Sequence, residues 1–423
     1  MGRCNLRRSM PLVILVLLAI LPAVQLTGTA QGRTDPATGR IRLLHIGLAF
    51  LRPDHPDPVF LQDPKIELTM VPAFSSVMEV EEVRRMLRVY LPRSRSELDG
   101  SYDLVLIDGV DAFHVRDDFL RWTTELVQES NLSFVMSDSG SGWSFAGSGT
   151  SWYITSIEPI LTVDDVEGRE AATPGFWQNN FQVVPVDPEH ELMRNIPWDE
   201  VRFTAMNRPT ERPGAKVVAR MSDEKTVNRG KPVIAYWDYP GGGRSASYIL
   251  TWHTMVGTPG ILAFYRWPWH YDVLAHMVYW PAMEPIPRDL VLVHEVRERF
   301  SDLYLSRILV LATVEFAEKA GANMREIEVE MSDLDASRGL VDSLYVDNMM
   351  EECLDLSSDL LGEYEELIER TLREKDRALL WIFMVEWAVV SATSMFSGAL
   401  VWTLLVKRRL YREVGQTRLT GSG

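Results

Sequence analysis

The chain has 423 residues, of which 46% are hydrophobic, with 59 acidic against 43 basic side chains and a net charge of −16. That length leaves room for more than one folded unit, and so large an excess of acid argues against nucleic acid as a partner. Two cysteines, Cys4 and Cys353, are too few for a disulfide framework.

In chain order, Arg3, Arg7 and Arg8 precede an apolar run from Met10 to Val24 and a small-residue site at Gly28-Thr29-Ala30. This is the layout of a secretory signal peptide over residues 1–30, with an uncleaved anchor as the alternative, and either exports the domain behind it. Cleavage removes Cys4, so Cys353 is expected to be a buried small hydrophobe or an intersubunit bridge.

From residue 40 to 282 apolar runs alternate with amphipathic segments. Ile41 to Leu48, Ile66 to Val71, Tyr102 to Asp108 and Ser133 to Met136 read as strands, and Glu79 to Leu91 and Phe119 to Gln128 as helices. Strand and helix in alternation predict an α/β domain on a parallel sheet covered on both faces. Pro281 to Pro287 marks its end.

Beyond the linker glycine and proline nearly vanish, and residues 288–377 read as an acidic helical stalk. One helix is predicted from Arg288 to Ala320, stopped by Gly321, and another from about Leu340 to Arg377, seamed by Leu340, Leu344, Met350, Leu354, Leu361, Tyr364, Ile368 and Leu372. From Glu326 to Asp376 there are 17 acidic and 4 basic residues, a net of −13, so the stalk carries most of the charge. A solvated face explains it; a dock for a basic partner or a loose divalent-cation site is the alternative.

Ala378 to Val406 is a run of 29 mostly apolar residues, with Lys407-Arg408-Arg409 directly behind it. A bilayer core needs about 20, so a single-pass transmembrane helix is predicted, with residues 407–423 as a short basic cytoplasmic tail and the large domain extracytoplasmic. Such a tail is too small to signal, which leaves output to a partner or to self-association. Glu386 has two readings. It sits near the outer headgroups between Trp381 and Trp387, or it meets a polar group on a membrane partner where Ser394 and Gly398 allow close approach.

Chemistry is expected at the end of the fourth strand, where Ser137 begins a stretch of small residues through Ser151. Open sheets bind ligands at strand carboxyl ends, so Asp108, Ser137, Asp138, Ser139, Gly140, Ser141 and Trp143 are the candidate crevice, for a small molecule or a glycan. Asp108, Asp111 and His114 could ligate a metal but more simply cap the next turn. His45, His55 and His190 lack ligand spacing and read as structural, and no metal or cofactor is expected. Trp252, Tyr265, Trp267, Trp269, His270 and Tyr271 could stack on a sugar, or pack the core.

The order Tyr102-Asp-Leu-Val-Leu-Ile-Asp, Phe134-Val-Met, Gly142-Trp-Ser-Phe-Ala-Gly and Trp152-Tyr-Ile-Thr-Ser-Ile-Glu-Pro resembles the class I glutamine amidotransferase-like proteins. Asp187-Pro-Glu-His, Gly214-Ala-Lys-Val-Val-Ala, Gly230-Lys-Pro-Val-Ile-Ala-Tyr, Gly241-Gly-Gly-Arg and Trp269-His-Tyr-Asp extend the likeness over residues 40 to 282. It implies a flavodoxin-like three-layer sandwich. Glutaminases of that fold attack with a cysteine activated by histidine, yet this chain has no cysteine between Cys4 and Cys353 and no His-x-Glu pair near its late strands. Ser139, with His253 as base, could stand in. The expectation is a non-catalytic domain that binds a ligand or partner as an accessory subunit of an envelope complex. An extracytoplasmic hydrolase or carbohydrate-processing enzyme is the alternative.

Overall fold

The computed structural model describes residues 33–51, 55–74, 78–137, 152–164, 178–205, 209–222, 230–250, 264–319 and 321–419. The chain divides into two compact units, one running to Arg297 and reclaiming Tyr345–Asn348, the other holding Glu298–Leu344 and everything from Met349.

In the first unit, β1 (Ile41–Gly47), β2 (Ile66–Pro72), β3 (Leu104–Asp108), β4 (Ser133–Ser137) and β11 (Arg244–Tyr248) lie side by side in the order β2-β1-β3-β4-β11, every neighbouring pair parallel. All five residues of β3 and of β4 are buried, which is why both read as unbroken apolar runs. The connections carry α1 (Asp57–Gln62), α2 (Val80–Tyr90), α3 (Arg95–Ser101) and α4 (Asp117–Glu129). Ser94 starts α3 by accepting the Glu97 backbone N–H, while the Glu97 carboxylate accepts from the backbone of Arg93. Phe119, Leu120, Thr123, Leu126 and Val127 form the buried face of α4.

The sheet continues antiparallel through β10 (Pro232–Asp238), β9 (Lys216–Ser222), β6 (Gln178–Pro185) and β7 (Phe203–Ala205), giving nine strands in all. The sheet is therefore mixed, where a parallel one was expected. The cause is connection length: β10 turns into β11 through five residues, far short of the dozen a parallel crossover needs. That turn lies so tightly on the chain that a Cβ on Gly243 would sit 1.9 Å from the Leu132 carbonyl oxygen. A separate ribbon pairs β5 (Val163–Asp164) with β8 (Thr210–Glu211), and α5 (His270–Tyr279) buries nine of its ten residues.

The second unit is built from α6 (Leu290–Lys319) beyond its first turns, α7 (Arg325–Val346) and α8 (Met350–Leu419). Gly321, at φ 81°, lies just past α6 as expected. The single helix expected from Leu340 is instead two, parted at Asp347–Met349, where Asn348 adopts φ 60°. Of the expected seam, Met350 and Tyr364 are buried, Leu354, Leu361 and Ile368 half-buried and Leu340 and Leu372 exposed; the buried line of α8 runs through Met350, Cys353, Ser357, Leu360, Tyr364, Leu367 and Thr371. Two of its buried hydroxyls are satisfied within the helix, Ser357 donating to the Leu354 carbonyl and Thr371 to that of Leu367, while that of Tyr364 donates to Asp335. Cys353 is a buried free thiol, its pKa pushed up to about 12 by burial and by Asp342. Among the described residues one helix, α8, is long and apolar enough to cross a membrane, and every residue from Leu379 to Tyr411 is exposed.

Candidate functional site

Between β1 and β3 the strand order reverses, because the chain leaves β1 toward β2 and leaves β3 toward β4. Such a reversal opens a crevice at the carboxyl ends of the two strands. Gly47 ends β1 at φ 119° and pairs in register with Asp108, the last residue of β3. The Leu48 N–H donates to the Asp108 carbonyl at 2.7 Å, and a Cβ on Gly47 would lie 1.8 Å from that oxygen. Only glycine lets the strands leave the sheet this closely.

Three ionisable side chains meet here, all with 0% exposure. His45 projects from β1, with its Nδ1 2.7 Å from Asp57 Oδ1 at the start of α1 and its Nε2 3.9 Å from Asp108 Oδ2. The second Asp57 oxygen accepts from the Phe50 backbone N–H, so this carboxylate is fixed from two sides. Phe60 packs edge-on against the imidazole at 6.1 Å. Burial opposes charge on His45, but Asp57 and Asp108 together outweigh it and raise the pKa to about 9. The ring is thus an imidazolium at neutral pH, held by Asp57 and pointing its other N–H towards Asp108. Both carboxylate oxygens of Asp108, and Nε2 of His45, lack a hydrogen-bond partner among the described residues. A buried carboxylate left open in this way costs about 1–3 kcal/mol or more, and it can accept from a ligand's hydroxyl or amine.

Of the crevice residues expected from sequence, Asp108 and Ser137 are adjacent in register and both buried. Asp138, Ser139, Gly140, Ser141, Trp143 and His253 lie outside the described residues, as does Trp252. Asp111 caps the turn after β3, accepting the Phe113 N–H at 3.1 Å. His55 and His190 pack as structural residues, His190 against Trp280. No group of three or more His, Cys, Asp or Glu that could hold a metal occurs among the described residues. Trp267 and Tyr271 are buried in the core, and Trp269 stacks on His294 at 4.3 Å. On α8, Glu386, Ser394 and Gly398 are all exposed, and a Cβ on Gly398 would meet nothing within 4 Å.

Sequence reasoning reads His45 as structural and does not connect it to Asp57 and Asp108. The signal is a histidine within the apolar part of the strand, two residues before the glycine that ends it. A second buried cluster leaves no local signal. Arg297, fully buried, donates to Asp272 at 2.7 Å and to the Tyr345 hydroxyl at 2.9 Å, and lies 3.9 Å from Asp63. Tyr279 and Tyr345 both donate to Asp63, while His294 holds the other Asp272 oxygen at 2.7 Å. This network joins segments far apart in sequence within the first unit, with Arg297 Nη2 lacking a hydrogen-bond partner among the described residues, and it reads as a structural clasp.

Two clefts lie away from this site. One of about 780 Å³, at the amino end of β11, is walled by Arg244, Asp238 and Trp280. Arg244 there is committed, donating to Asp238 and to the Trp280 carbonyl, both at 2.7 Å. The other, of about 540 Å³, lies beside β6 near Arg194 and Trp198. No protein-family model matches the chain, and no curated protein matches it.

Proposed function

We propose that this chain is a membrane-anchored extracytoplasmic domain, amidotransferase-like in fold and non-catalytic, that binds a ligand or partner as an accessory subunit of an envelope complex. The fold reading is supported by the parallel half of the sheet. Its strands run in the 2-1-3-4-5 order of flavodoxin-like proteins, with β11 as the fifth. Right-handed crossovers, the rule for such connections, would put α1 on one face of that order and α2 to α4 on the other, in keeping with α1 packing on α5 and α3 on α4. A glutaminase reading lacks its nucleophile, since no cysteine lies between Cys4 and Cys353.

The observation that carries binding is Asp108. Its carboxylate, fully buried and without a hydrogen-bond partner among the described residues, lies beside the His45 imidazole at the point where α/β sheets take their ligands. Outward placement rests on the Met10 to Val24 run and on the Lys407–Arg409 cluster behind α8's apolar half. Glu386, with Ser394 and Gly398, then offers a membrane partner its contact.

The test is to purify the full chain and its Asp108→Asn variant from membranes in mild detergent and identify by mass what accompanies each. A small molecule or protein held by the wild type and lost from an equally folded Asp108→Asn supports the site. The same complement on both sinks it.

A further inference from the structure

Among the described residues, an apolar face of the second unit is left uncovered. On α6, Phe300, Leu303, Val310, Val314 and Ala317 are buried. A second stripe on the same helix, Leu305, Leu309, Ala312 and Phe316, faces outward, with Leu305, Leu309 and Phe316 exposed by 60%, 50% and 52% and Ile308 beside them by 43%. Steps of four, three and four residues keep those side chains in one line, which is the spacing of a coiled-coil seam. A helix apolar on both sides is normally covered on both.

We propose that this stripe is the surface on which a second copy of the chain pairs, parallel and in register. Charge selects the copy and the face. From Glu298 to Lys319 α6 carries 4 acidic and 3 basic residues, whereas Glu326 to Asp376, spanning most of α7 and the outer part of α8, carries 17 and 4. Two copies meeting on α7 or α8 would oppose like charge, and meeting on α6 they do not. The basic residue in the middle of α6, Arg307, is already held by Asp335 of its own chain at 2.7 and 2.9 Å. In a parallel pair each seam residue meets its own counterpart, so Leu305 packs on Leu305 and Phe316 on Phe316.

The inference rests on the anchored reading above for its orientation, because copies held in one bilayer by the same helix are necessarily parallel. The stripe offers on the order of half the ~800 Å² per partner of a standard interface. Confinement to a membrane compensates by raising the effective concentration of one copy near another.

The test is oxidative cross-linking of the full chain in its native membranes with copper phenanthroline. Leu309→Cys is expected to give a disulfide-linked dimer. Glu318→Cys, exposed half a turn away from Leu309 around the helix axis, is expected to stay monomeric, and the wild type, whose Cys353 is buried, sets the baseline. Adding Leu305→Glu to the Leu309→Cys chain should abolish that cross-link in the membrane without changing the melting temperature. Equal cross-linking at positions 309 and 318, no cross-link at 309, or an adduct of 309 with a different protein would each overturn the pairing. A chain found outside the membrane fraction would instead sink the anchored reading, so the two failures are told apart.

Discussion

His45 shows how one buried charge is both a stability device and part of a site. Its proton is bound more tightly in the folded chain, where the pKa is about 9, than at the ordinary value of 6.5. The interaction therefore contributes in full below about pH 6.5 and is lost as pH rises through about 9, a change on the order of 3 kcal/mol. Urea midpoints of the wild type should fall across that window, and His45→Gln should start lower and show a much shallower slope. A wild-type midpoint indifferent to pH from 6.5 to 9 would mean that the imidazolium is not held as its geometry implies. Asp108 was legible as a carboxylate closing an apolar strand, a pattern visible in five consecutive letters. Its relation to Asp57 was not, because a loop and a helix start intervene and no periodicity connects them. Arg297 and Asp63 were less legible still, since their meeting depends on two returns of the chain rather than on any local spacing.

Among the elements, those set by local pattern were readable to within a few residues. The strands at Ile41, Ile66, Leu104 and Ser133, and the helices at Val80, Asp117 and Leu290, all begin near where apolar periodicity puts them. The orientation of the later strands was hidden, because it depends on connection length rather than on the strands' own composition. The break between α7 and α8 was hidden for another reason: neither glycine nor proline marks it. Asn348 supplies the left-handed backbone at φ 60° and accepts a hydrogen bond from Lys65 Nζ at 2.8 Å. A β-branched residue in that conformation costs about 1–2 kcal/mol, and it forfeits the hydrogen bond as well. Asn348→Val should therefore lower the melting temperature by several degrees, and Asn348→Gly, which suits the backbone but not Lys65, should fall between it and the wild type. If valine is tolerated as well as asparagine, something other than this residue sets the break.

For the whole molecule, α8 is the one helix among the described residues long and apolar enough to cross a membrane. Packing in the second unit ends at Thr371, the last buried residue of α8, whereas the apolar run begins at Ala378. The two functions of this 70-residue helix are thus separable in sequence. Its first part meets α7 through Tyr364 with Asp335 and Arg370 with Glu330, and its later part exposes Trp381, Phe383, Trp387, Phe396 and Trp402, side chains that in water would cost about 2 kcal/mol each relative to burial. Ending the chain at Arg377 removes every one of these and none of the packed seam. The truncated protein is expected to melt like the full chain yet to appear in the soluble fraction, while the full chain stays in the pellet through alkaline carbonate. If the truncated protein remains in the pellet, the anchor is elsewhere, and the Met10 to Val24 run is the segment to delete next, because an uncleaved apolar stretch there would hold the chain from its other end.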